Sequence, residues 1–74
     1  MNARPSIPSG RYRHYKGRDY QVIDLVRHSE TEEWLVLYRP LYGAGALWVR
    51  PAGMFVENVS VDGALRPRFE RTGD

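Results

Sequence analysis

The chain alternates polar and apolar positions over short stretches. Tyr12, His14 and Lys16 fall on one side of an extended segment, and Arg11, Arg13 and Tyr15 on the other. The spacing predicts a strand over 11–15. Lys16-Gly17-Arg18-Asp19 supplies a turn in which Gly17 takes positive φ without a steric penalty. Tyr20 to His28 is rich in β-branched and aromatic residues and reads as a second strand. Ser29-Glu30-Thr31-Glu32 is the polar loop of a hairpin. Trp34 to Tyr42 is a third, long strand, and Gly43-Ala44-Gly45 breaks it. Leu47 to Arg50 forms a fourth.

The pattern changes at Pro51, which suits the first position of a helical turn. A short helical segment over about 52–58 would pack Met54 and Phe55, with Val59 following. Asp62-Gly63 marks a turn. Leu65 to Phe69 returns as a last strand, restricted by Pro67 to an edge. The fold expected is mainly β: a small SH3-like barrel, or a strongly bent antiparallel sheet, with one short helical turn before the last strand. Leu35, Val36, Leu37 and Tyr38 leave neither face of the third strand polar, so a homodimer covering the second face is expected.

At 74 residues the chain is one domain, and a domain of that size buries only about 60% of its unfolded surface. Residues 1–9 read as a disordered tail, 10–69 as the single β domain, and 70–74 as a frayed end. The chain has no cysteine, so neither disulfides nor thiolate metal sites brace it. No apolar run approaches the roughly 18 residues of a membrane span, and 1–10 lack the apolar centre of a secretion signal. A cytoplasmic location is the expectation. The net charge is only +2, but it is unevenly placed. Residues 1–18 hold Arg4, Arg11, Arg13, Lys16 and Arg18 with no acid. Residues 19–33 hold Asp19, Asp24, Glu30, Glu32 and Glu33 against Arg27. Pairing of these segments neutralises much of that charge, which weakens a nucleic-acid reading. The preponderance of Arg over Lys suits bidentate anion recognition.

His14 and His28 alone do not make a zinc site, which takes three or four ligands, and no clustered spacing adds Asp24 or Glu30. No metal and no cofactor are assigned. Ser29 beside His28 is not a catalytic pair, because neighbours on an extended chain point apart. The His28-Ser29-Glu30-Thr31 run has two readings: a ligand loop, or hairpin residues that satisfy backbone groups. The many aromatic residues mostly fill the core, with Tyr tips and Trp48 available at a surface. Trp48 lies on the face opposite Leu47 and Val49, beside Arg50 and Arg39, and an Arg–aromatic surface can hold an anion or stack on a base.

Gly10 with Tyr12-Arg13-His14-Tyr15-Lys16-Gly17, then Tyr20, Val22 and His28 to Glu32, resembles a family of small bacterial proteins of unknown function. The resemblance runs on through Tyr38-Arg39, Leu41-Tyr42-Gly43, Trp48-Val49-Arg50-Pro51, Met54-Phe55 and Pro67-Arg68-Phe69, and covers about 10–69. It implies a stand-alone bacterial domain and brings no activity, cofactor or catalytic residue. It also implies a shared site near the strand ends. There His14, His28, Ser29, Glu30 and Thr31 supply polar groups, Arg39 and Arg50 hold an anion, and Tyr12, Tyr42 or Trp48 form an apolar wall. The leading expectation is a non-catalytic binding module for a peptide, a partner protein or a small anionic ligand. The alternatives are a nucleic-acid-binding module using the Arg and aromatic surface, and a small enzyme around His14, His28 and Glu30.

Overall fold

The computed structural model describes residues 3–74. Strand β1 (Gly10–His14) turns at Lys16-Gly17 into β2 (Asp19–Arg27), with Tyr12 opposite Tyr20 and Gly17 at φ 100°. The turn is tight: the His14 N–H donates to the Arg18 carbonyl at 2.8 Å. His14 therefore faces residue 18 rather than 20–22. β2 pairs with β3 (Trp34–Pro40), and β3 with β4 (Trp48–Pro51). Pro51 leads into one helical turn, α1 (Ala52–Phe55), shorter than the 52–58 expected. β5 (Asn58–Val61) and β6 (Ala64–Pro67) form a hairpin of their own. Its turn has both central residues at positive φ, Asp62 at 52° and Gly63 at 81°, which matches the twist of a two-residue hairpin. β7 (Phe69–Gly73) pairs antiparallel with β1.

The main sheet has five strands in the order β4-β3-β2-β1-β7 and is open. It does not close into the SH3-like barrel that was one of the two expected forms. Closure would need a strand on the free edge of β4. That strand is only four residues long and turns into α1 at Pro51, and the next two strands pair with each other. The chain then crosses back to β1, not to β4. The expected single strand 65–69 is divided at Arg68, whose N–H donates to the Glu57 carbonyl at 2.8 Å and whose carbonyl accepts from Tyr15 at 2.9 Å. Residues 70–73, expected beyond the ordered domain, lie in β7.

One face of the sheet carries the core: Tyr12, Val22, Leu25, Val36, Tyr38 and Phe69, capped by Ala52 and Phe55 of α1. Phe55, 1% exposed, stacks on Phe69 with centroids 4.2 Å apart and receives the Tyr12 edge at 5.3 Å. Full burial of such a side chain contributes about 1.5–3 kcal/mol. Val22 and Leu25 both face inward although three residues apart. The register slip between Val22 and Asp24 allows it, since an extra residue in one strand shifts the alternation. Ile7 also packs on the core, and the Tyr12 hydroxyl donates to the Pro8 carbonyl at 2.7 Å. Arg4 meets Asp24 at 3.0 Å and lies over the Trp34 ring. Of the expected tail, Met1 and Asn2 lie outside the described residues. Among the described residues no helix is long and apolar enough to cross a membrane.

Candidate functional site

Antiparallel pairing brings five segments to one end of the sheet: the exit of β1, the entry of β2, the exit of β3, and the starts of β4 and β7. Aromatic residues fill this end. Tyr20 makes edge contacts with Tyr38 at 5.6 Å, Phe69 at 5.5 Å and Tyr42 at 5.8 Å. The Tyr20 and Tyr42 hydroxyls share a hydrogen bond of 3.0 Å. Burial, with the Tyr42 hydroxyl bond and charge next, pushes the Tyr20 phenol up to about 12, so the Tyr20 hydroxyl remains protonated at neutral pH. Trp48 meets the Tyr38 ring edge-on at 6.1 Å. Trp48 and Tyr42 present their outer sides to solvent, 45% and 37% exposed.

His14 lies against Tyr15 at 4.6 Å and Phe69 at 4.9 Å. Burial lowers its pKa first, and the charges of Arg50, Arg68 and Lys16 lower it further. The imidazole is therefore neutral at pH 7. Its Nδ1 accepts the Lys16 N–H at 3.1 Å, which assigns the ring proton to Nε2 and makes that atom a donor. Arg50 lies over the opposite neighbour of His14, the Phe69 ring, at 5.5 Å, and its Nε donates to the Tyr38 hydroxyl at 3.3 Å. Arg18 covers the Tyr42 ring at 4.4 Å. Among the described residues Lys16, Arg18 and Arg50 form no ion pair, whereas Arg68 meets Glu57 at 3.0 Å. The Arg68 Nε is buried and has no hydrogen-bond partner among the described residues. Cationic donors, a neutral imidazole N–H and exposed ring surfaces together form an arrangement suited to an anion that carries an apolar or planar part.

The structure brings together His14, Tyr42, Trp48 and Arg50 from the sequence-derived candidates. Tyr12 belongs to the core instead, with its hydroxyl committed to Pro8. Arg39 alternates with Tyr38 along β3, opposite Gln21, and so lies on the other face from Trp48 and Arg50. His28, Ser29, Glu30 and Thr31 occupy the β2–β3 loop at the far end of the sheet. The length of β2 separates them from His14, and at ~3.3 Å per residue that is roughly 30 Å of strand. His28 Nδ1 accepts the N–H groups of Glu30 and Thr31 at 3.1 and 3.2 Å, and Thr31 Oγ1 bonds Glu33. These side chains satisfy the backbone of a loop in which Glu32 has φ 63°. His14, His28 and Glu30 share no cavity, and among the described residues no three His, Cys, Asp or Glu cluster as metal ligands. Lys16, Arg18, Tyr20 and Arg68 are members that the sequence candidates omit. The inward alternation Tyr20–Val22 was a usable signal for Tyr20; the position of Arg68 depends on the break between β6 and β7, where Pro67 marks an edge but not a change of partner strand.

An open antiparallel β domain with an aromatic–cationic end is the class this geometry defines. The chain belongs to the DUF1653 family, described as proteins of unknown function, whose model matches residues 10–71. A solved relative is the crystal structure of a DUF1653 protein from Bordetella bronchiseptica. It is 34% identical, with 92% of this chain and 90% of that chain aligned at a TM-score of 0.84. No curated protein matches the chain.

Proposed function

We propose that this domain is a non-catalytic binding module whose ligand is an anion with an apolar or planar portion, held at the end of the sheet around His14 and Arg50. The observation that carries the reading is the gathering of three cations about His14: Arg50 lies over the Phe69 ring that packs on the imidazole, the Lys16 N–H donates to its Nδ1, and Arg68 directly precedes Phe69. Two of those three cations, Arg50 and Lys16, have no carboxylate partner among the described residues. Arg50 and the His14 Nε2–H would hold the charge, and Trp48 and Tyr42 would contact the remainder. His28 and Glu30, the partners that a catalytic reading would give His14, stand at the opposite end of the sheet. A small anion or an acidic peptide segment has this chemistry.

Calorimetric titration with inorganic phosphate, a nucleoside monophosphate and an Asp/Glu-rich peptide tests the reading. The expected result is one-to-one binding of at least one probe, weakened tenfold or more by Arg50→Gln. Heatless titrations with all three would contradict it.

A second reading has its own support. Exposed Trp48 and Tyr42, flanked by Arg50 and Arg18, resemble the stacking platforms that hold single-stranded nucleic acid. It requires that affinity for a short oligonucleotide fall steeply with added salt; salt-independent or undetectable binding would exclude it.

A further inference from the structure

The segment before β1 reads Arg4-Pro5-Ser6-Ile7-Pro8, two prolines three positions apart with an arginine ahead of the first. Proline holds φ near about −65°, and a Pro-x-x-Pro segment favours the extended polyproline conformation. Residues 3–8 take neither helix nor strand. Among the described residues no backbone–backbone hydrogen bond ties them to the sheet. Side chains hold them instead. Arg4 donates to Asp24 at 3.0 Å and lies over the Trp34 ring at 5.4 Å. Ile7 packs on the core, and the Pro8 carbonyl accepts the Tyr12 hydroxyl at 2.7 Å. Aromatic-lined grooves take proline-rich peptides from other chains in this manner, because the extended form costs little ordering.

The groove is wider than the arm that lies in it. A cavity of about 450 Å³ opens beside Pro5 and is lined by Trp34, Pro51 and Met54. A second, of about 230 Å³, opens beside Ile7 and is lined by Phe55, Val56 and Pro67. Met54 and Val56 are exposed there. Acids gather where Arg4 lies: Asp24 accepts its hydrogen bond, Glu33 lines the larger cavity, and Glu30 and Glu32 share the β2–β3 loop. Arginine at one end of the arm therefore meets negative charge, which fixes the direction in which such a peptide lies. This groove is separate from the site around His14 and Arg50.

We infer that this groove is a docking site for an Arg-Pro-x-x-Pro segment of a partner protein, and that residues 4–8 occupy it in cis as an autoinhibitory strap. The cis occupant states the chemistry of the partner. An arginine meets Asp24 and Trp34, a proline lies beside the larger cavity, an apolar side chain reaches the core, and a carbonyl accepts from Tyr12. The strap is lightly held. Arg4 and Asp24 are 57% and 60% exposed, and exposed ion pairs are weak. Its advantage is the tether: Ser9 alone joins Pro8 to β1, and a short tether gives an effective concentration of roughly millimolar. A partner segment that brings the same groups and also fills the two cavities displaces it.

Titration of the full chain with a synthetic peptide of residues 3–9, read from the Trp34 indole resonance, tests the inference. Wild type is compared with Arg4→Glu, a change at an exposed position, and with Arg4→Glu/Ile7→Ser; circular dichroism monitors each fold. The peptide is expected to bind the folded variants at least tenfold more tightly than wild type, because their strap is loosened. The same peptide with glutamate in place of its arginine is expected to bind them at least tenfold more weakly. Three results would overturn the inference. One is no binding of the peptide to folded Arg4→Glu. Another is equal affinity for wild type and both variants, which would mean that the strap does not occupy the docking site. The third is a wild-type dimer in sedimentation equilibrium that Arg4→Glu reduces to a monomer, which would make the arm of a second copy the occupant.

Discussion

Burial and the neighbouring charges of Arg50, Arg68 and Lys16 all disfavour the protonated form of His14. The depressed pKa makes the unfolded chain the better proton acceptor between the folded value and about 6.5. Stability is therefore greatest above about 6.5, declines as pH falls through that window, and levels off below the folded pKa. Asp19 and Asp24, also depressed, act at lower pH, nearer their ordinary 3.8. Urea midpoints at pH 7.5 and 5.5 are expected to differ in the wild type and to converge in His14→Gln. Removing a cation has the opposite sign: Arg50→Gln is expected to raise the His14 pKa, read from its imidazole resonances. A bound anion shifts it the same way. An unchanged His14 titration in that variant would mean that the guanidinium does not act on the ring.

Individual elements depend on single residues in ways the sequence states unequally. The first two strands, their Gly17 turn and the Asp62-Gly63 turn are legible because alternation and turn chemistry are local. The bulge of β2 is not: it exists because Leu25, not Asp24, must face Val36 on the core side. β7 was equally hidden. Glu70, Arg71 and Thr72 have no apolar alternation, and the strand is defined by its pairing with β1. Gly10 marks that pairing. At φ 136° a Cβ there would sit 2.5 Å from the Gly73 carbonyl oxygen, so Gly10→Ala is expected to destabilise by about 1–3 kcal/mol, measured by urea unfolding. α1 is only one turn, yet Phe55 joins it to β7 through the stacked Phe69. Phe55→Ala is expected to cost about 3–5 kcal/mol. A loss under 1 kcal/mol would show that α1 is not integral to the core.

Taken as a whole, the molecule separates its charge along the strands. Glu30, Glu32 and Glu33 sit on the β2–β3 loop, while Lys16, Arg18 and Arg50 gather at the other end. The sequence showed the two charge blocks but not their separation, because the pairing of β2 with both neighbours decides which ends coincide. For the same reason His14, Tyr42, Trp48 and Arg50 could be picked out as candidates, whereas the 28–31 loop and Arg39 could not be placed on a different end and a different face. The segment before β1 is also part of the fold, through Ile7 on the core and Pro8 on Tyr12. Deleting residues 1–8 is expected to cost about 2 kcal/mol, from partial loss of one buried side chain and one hydrogen bond; an unaltered urea midpoint would contradict that. The central claim concerns the aromatic–cationic end. Its most direct test is a map of amide, Trp48 indole and Arg50 Nε–H chemical shifts during titration with phosphate, a nucleoside monophosphate and an acidic peptide. The account predicts perturbations at His14, Lys16, Tyr42, Trp48 and Arg50, with residues 28–31 silent. Perturbations confined to the 28–31 loop, or no response to any of the three, would contradict it.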